Sequence, residues 1–127
     1  MRRTDQRRAA VVALYQADLT GRPAAGLVDV AARAFTRDLV DGVEGDREEV
    51  DALIERYAED WTLDRIAPLE RSILRVALHE LLHRPDVPAE VAIDEAVEAA
   101  KELCGAQAPS FVNGILGAVQ RAEVPAP

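Results

Sequence analysis

The chain has a single cysteine, Cys104, so no internal disulfide can brace it. It has two histidines, His79 and His83. A histidine-rich metal site is therefore excluded, and no Ser-His-Asp arrangement can be read apart from that pair. Gly42, Gly45, Gly105, Gly114 and Gly117 form neither a dinucleotide-binding nor a P-loop pattern, which excludes the common phosphate cradles. No apolar run is suited to crossing a bilayer; the most apolar stretch, 68–83, is too short and too charged. The start, Met-Arg-Arg-Thr-Asp-Gln-Arg-Arg, is charged and no uninterrupted apolar segment follows, so no signal peptide is expected. No strand-length alternation, repeat or low-complexity tract stands out. The lone cysteine falls beside Ala100 and Leu103 on the apolar side of a predicted helix. It reads as a small buried hydrophobe in a reducing cytoplasm, not as a reactive thiol.

What is present fits one helical domain spanning 1–127. Its 127 residues suffice for a real core. The net charge of −8 is unevenly distributed: residues 1–22 carry five arginines against Asp5 and Asp18, and the remainder is strongly acidic. A basic arm over 1–8, with Arg2, Arg3, Arg7 and Arg8, on an acidic body points to an anionic partner at the arm. A solvated N-terminus is the alternative reading.

The stretch 68–83 is the predicted central helix. Pro68 suits a first helical position, and Arg84-Pro85 ends the run. Its apolar residues cover well over half the circumference, leaving a polar stripe of Ser72, Arg75, His79 and His83. Around it the pattern predicts helices over 4–20, 29–44, 46–60, 88–104 and 109–122. The first is capped by Thr4 or Asp5, has a seam of Val11, Val12, Tyr15 and Leu19, and leaves Arg3 and Arg7 exposed. The second turns Val30 inward. The third opens on a capping box, Asp46 with Glu49, and Trp61 closes the core at its end. Thr62–Ile66 reads as one turn. In 88–104, Val91 faces inward, and Asp94, Glu95, Glu98 and Glu102 form an acidic outer face. The tail, 123–127, is expected to fray.

Two strings carry possible chemistry. His79-Glu-Leu-Leu-His83 has the H-E-x-x-H spacing, which sets two histidines on one helix face for zinc and a glutamate as general base. A third protein ligand is lacking unless Glu95, Glu98 or Glu102 turns inward. Glu80 projects into the apolar arc, so the string reads as a chance motif and its histidines as a surface pair. Ser110-Phe-Val-Asn-Gly-Ile-Leu-Gly117 puts an Asn-Gly pair inside a helix, at up to about 1 kcal/mol for the glycine alone. Gly114 and Gly117 would permit close helix approach. Phe111 can be a core anchor or a surface ring that stacks on an unpaired base; the pattern leaves both open.

Taken in order, several pieces resemble the NusB family of bacterial transcription antitermination factors. They are Arg7-Arg8-Ala-Ala…Ala13-Leu-Tyr15, Phe35…Leu39-Val-Asp-Gly-Val43, Leu69-Glu-Arg-Ser-Ile-Leu-Arg-Val-Ala77, Glu80-Leu81, Asp86-Val-Pro88, Val91-Ala-Ile-Asp-Glu-Ala-Val97 and Phe111-Val-Asn-Gly-Ile-Leu116. The last two are the most specific. The resemblance implies an all-α fold of two small helical bundles packed together, no catalysis and no cofactor. It implies binding of single-stranded boxA RNA from ribosomal RNA leaders together with NusE, a ribosomal small-subunit protein, within an RNA polymerase antitermination complex. By the same resemblance, Arg2, Arg3, Arg7 and Arg8 become the phosphate-contacting arm. Gln107 and Phe111 lie near RNA, Tyr57 is a further stacking candidate, and Tyr15 and Glu70 face the protein partner. A homodimer fits the family too. The sequence departs from the pattern at His79, where an aromatic is usual, and at Gln107, where an acid is common.

Two rivals follow from the same residues. One is a small zinc peptidase built on His79, Glu80 and His83. The other is a solo RNA-binding module, since NusB-like domains also occur in rRNA cytosine methyltransferases and no methyl-donor-binding segment is seen here.

Overall fold

In a computed structural model, residues 2–125 are described. They form six α-helices and no strand: α1 (Arg3–Thr20), α2 (Ala34–Gly45), α3 (Arg47–Tyr57), α4 (Pro68–His83), α5 (Ala89–Leu103) and α6 (Ala108–Glu123). Two short 3-10 turns, Ala24–Leu27 and Leu63–Arg65, lie in the connections. The fold is all-α, as expected. α4 packs on each of the other five helices. α1 and α2 group on one side of it, and α3, α5 and α6 form a second group around the same helix. Buried side chains from all six make one continuous cluster. No helix among the described residues is long and apolar enough to cross a membrane.

The boundaries of α4 match those predicted. Pro68 occupies its first position, and Arg84 leaves the helical region ahead of Pro85. α1 ends where Gly21 takes a left-handed conformation, φ 73°, and donates its N–H to the Ala17 carbonyl.

Several expectations are corrected. The core face of α1 is Ala10, Val11, Ala13, Leu14 and Ala17, while Val12 and Leu19 are exposed. Small alanines let α1 sit close to α4, so the stripe is rotated from the one its larger side chains suggest. Thr4 does not cap α1; its hydroxyl donates to Glu95 on α5. α2 starts five residues later than predicted because Asp29 makes a turn: its carboxylate accepts from the Ala31 N–H and its carbonyl from the Ala32 N–H. Val30 is consequently 94% exposed, not inward. Val91 is also exposed. Asp46 makes no capping bond; its side chain turns to His79 instead. Trp61 is half exposed. Gly114 has open space around it, so it serves no close approach. Gly42 does: a Cβ there would collide with the His79 ring. Cys104 is half-buried against the core, and burial first, then the Glu70 charge, pushes its thiol up.

Of the polar stripe of α4, His83 alone is exposed, so the histidines are not a surface pair. Ser72, Arg75 and His79 are buried. Each has a partner, as buried polar groups require. The Ser72 hydroxyl donates to the Pro68 carbonyl. Arg75 forks onto Asp51 of α3 at 2.8 and 3.1 Å and reaches Asp18 of α1 at 2.7 Å. Burial alone would lower the Arg75 pKa, yet the two carboxylates outweigh it and hold it above its ordinary value. α6 is held to its last turn by Glu123, which accepts from Arg56 and the Tyr57 hydroxyl at 2.9 Å each. Glu123 is therefore not frayed; of the remaining tail, 126–127 lie outside the described residues.

Candidate nucleic-acid interface

The four arginines of the basic arm are the first two turns of α1 and the residue before it, not a free arm. α1 runs antiparallel to α4, so Arg3 meets Asp86 beyond the end of α4, Arg7 meets Glu80, and Asp18 meets Arg75. Arg2 and Arg3 have side chains 83% and 49% exposed. Arg3 lies with its guanidinium carbon 4.2 Å from the Phe35 ring centroid and 3.3 Å from Asp86. Arg84 approaches the same ring and pairs with Asp86 at 3.0 Å. The Arg84 hydrogen bond, aided by Arg3, holds the Asp86 carboxyl down at about 2. Arg3 and Arg84 thus form a shallow basic cluster over Phe35, with the Arg7 guanidinium 5.2 Å from the same ring, while Arg2 pairs with Asp5 at 3.7 Å.

Arg7 and Arg8 do not share that exposure. Arg7 is only 5% exposed and grips the buried Glu80 carboxylate through two nitrogens, at 2.8 to 3.1 Å. The expectation that it stays exposed is corrected. A forked pair of this kind, out of water, ties α1 to α4. Arg8 lies largely against α5, bonding Glu102 at 3.2 Å and lying 3.9 Å from Glu95. The acidic face of α5 is therefore partly spent on α1.

At the other end of α4 lies an open groove. Trp61, Arg65, Ile66, Ala67, Glu70, Gln107, Ser110 and Phe111 line it. The Trp61 and Phe111 rings meet edge to face, 6.2 Å between centroids at 73°. Phe111 packs on the core with one side and faces the groove with the other, so both of its readings hold in part. Gln107 is exposed at the mouth and precedes the first turn of α6, where unpaired N–H groups favour anions. Burial raises the Glu70 carboxyl above its ordinary range. Trp61 is the residue that sequence reasoning missed. Its apolar bulk suggested the core at the end of the third helix, but α3 ends at Tyr57 and Trp61 lies four residues beyond it, half outside.

The remaining candidates are scattered. Tyr57 is committed to Glu123 and packed against the core. Tyr15 is half-buried on α1. The arm and the groove are separated by the length of α4, roughly 24 Å for 16 residues. Glu80 faces Arg7 while His79 and His83 face α3, so the H-E-x-x-H string does not assemble as a peptidase site.

The comparisons with known proteins agree. The NusB family model matches residues 4–121. A transcription antitermination protein NusB from Rubrobacter xylanophilus is 46% identical over 91% of this chain and 88% of its own. Its counterpart from Myxococcus xanthus is 39% identical over 93% of both. Among solved structures, T. maritima NusB superposes with a TM-score of 0.91 at 33% identity, covering 98% of this chain and 94% of its own. A complex of the antitermination factors NusB and NusE with double-stranded RNA superposes at 0.85 and 28% identity, covering 94% and 96%. The chain belongs to the NusB family of transcription antitermination proteins, which are not enzymes.

Proposed function

We propose that this chain is an RNA-binding antitermination adaptor. It holds single-stranded boxA RNA of ribosomal RNA leaders together with NusE and supports processive rRNA transcription in the cytoplasm as part of the RNA polymerase antitermination complex. The observation that carries this reading is the aromatic groove at the start of α6. Trp61 and Phe111 offer π-faces to an unstacked base. Arg65, Ser110 and Gln107 offer polar contacts beside them. The α6 N-terminus favours phosphate.

Arg2 and Arg3 form the second contact, at the far end of α4. On a body of net charge −8, such local cations have to overcome general repulsion of the strand. The phosphates would be positioned by these arginines and the bases read at the groove. Glu70, in the groove, and Tyr15, on α1, are the contacts proposed for NusE. The solved complex of a relative with NusE and RNA supports both partners. Self-association into a homodimer would compete with RNA if it covered the same groove.

The test is fluorescence anisotropy with a short boxA RNA and a scrambled strand, with and without NusE, at several salt concentrations. Tighter binding of boxA, strengthened by NusE, is the expected result. Equal binding of both strands under every condition would overturn the reading.

A further inference from the structure

His79 and His83 turn away from Glu80 and toward the start of α3, with ring centroids 5.8 Å apart. Asp46 and Glu49 meet them there. His79 Nδ1 lies 2.8 Å from Asp46 Oδ2, and His83 Nε2 lies 3.5 Å from that same oxygen. His83 Nε2 also bonds Glu49 Oε1. One ligand atom each from Asp46, Glu49 and His83 falls within 4.8 Å of the other two.

Three features distinguish this cluster from a chance gathering of surface acids. Its donor set is mixed, imidazole with two carboxylates, which suits zinc and similar dications. Among the described residues, neither Asp46 nor Glu49 is paired with an arginine or lysine; the adjacent Arg47 turns to Asp18 and Glu44 instead. Asp46 Oδ1 is buried without a hydrogen-bond partner, while Oδ2 is oriented by His79. Gly42 contributes the room: with any side chain there, the His79 ring would lose its place.

We propose that Asp46, Glu49 and His83 form a binding site for a transition-metal dication, with zinc the best fit. His79 is the positioning residue that fixes the Asp46 carboxylate, and water completes the coordination shell. Zinc holds nitrogen and oxygen ligands at about 2.0–2.2 Å, so neighbours in a tetrahedral shell lie roughly 3.3 Å apart. The Asp46–His83 separation of 3.5 Å already suits this. Glu49 has only to retreat from its hydrogen bond. The imidazole binds through the Nε2 lone pair, so any proton there passes to Nδ1 or to solvent. Glu80, which the H-E-x-x-H reading would make the general base, is locked to Arg7 and does not join the site. The site is a clamp between the first turn of α3 and the last turn of α4, not a peptidase centre.

The test is calorimetric titration of the untagged, chelator-dialysed full chain with zinc chloride, with magnesium chloride in parallel. Cobalt(II) absorption reports the coordination. One zinc per chain is expected, with at least a tenfold loss of affinity in His83→Ala and in Glu49→Ala, each retaining the parent far-UV circular dichroism. Cys104→Ser should bind as the parent does. Zinc should raise the melting temperature of the parent and not of His83→Ala. Absence of saturable zinc binding, equal binding by both variants, or loss only in Cys104→Ser would overturn the proposal.

Discussion

Arg3 and Arg7 stand one turn apart on α1, and they live in different worlds. Arg3 is half exposed, stacked on Phe35 and lightly paired with Asp86. Arg7 is buried and forked onto a carboxylate that is itself almost wholly inaccessible. The same side chain therefore has two kinds of work. In water, a guanidinium is free to exchange one anion for another. Out of water, it cannot leave its partner without stranding a buried charge. The comparison separates arginines that can meet phosphate from arginines that hold the fold.

The largest expected effect lies on the buried side. Arg7→Ala should destabilise the fold by about 3–5 kcal/mol, because Glu80 is left buried and unpaired. Thermal unfolding should show a loss of roughly 10 °C or more. A drop of only one or two degrees would erase the distinction between the two arginines. Next comes the groove. Trp61→Ala, at a half-exposed position, should leave the melting temperature nearly unchanged but weaken boxA binding by about 1–3 kcal/mol, seen by anisotropy. Arg3→Ala should cost the fold less than about 1 kcal/mol, as exposed ion pairs do. Gln107→Asp adds a negative charge at the mouth of the groove and should weaken RNA binding a few-fold; equal or tighter binding would contradict the placement of the strand.

The smallest effect concerns acid. Asp86 has its folded pKa depressed to about 2 by Arg84 and then Arg3, so the pairing it makes is present above the ordinary carboxylate range and is lost as pH falls toward 2. In Arg84→Ala, NMR titration should find the carboxyl returned toward 3.8. No change would mean that Arg84 is not its anchor.

The sequence made local signals plain and long-range ones obscure. Both ends of α4 were legible because Pro68 and Pro85 act on their own neighbours. That Glu80 points into the apolar arc was also legible from periodicity. That Arg7 follows it there was not, because the partner lies 73 residues away. The same holds for Arg75 and His79: a polar stripe suggests solvent unless Asp18, Asp51 and Asp46 are known to lie against it. The late start of α2 hung on one aspartate turn at Asp29, which helix propensity alone does not reveal. At the site, Phe111 was legible as a candidate from its place at a helix start and Gln107 through resemblance, whereas Trp61 joined them only through packing, lying beyond the end of α3 against the Phe111 ring.

The two arginines differ most directly in whether they meet the strand. The decisive measurement is the salt dependence of boxA binding in the presence of NusE for the parent, Arg3→Ala and Arg7→Ala, each at a temperature where it is folded. The expected result is a log–log slope reduced by about one phosphate contact in Arg3→Ala and unchanged in Arg7→Ala. A slope that falls in Arg7→Ala and holds in Arg3→Ala would contradict the account.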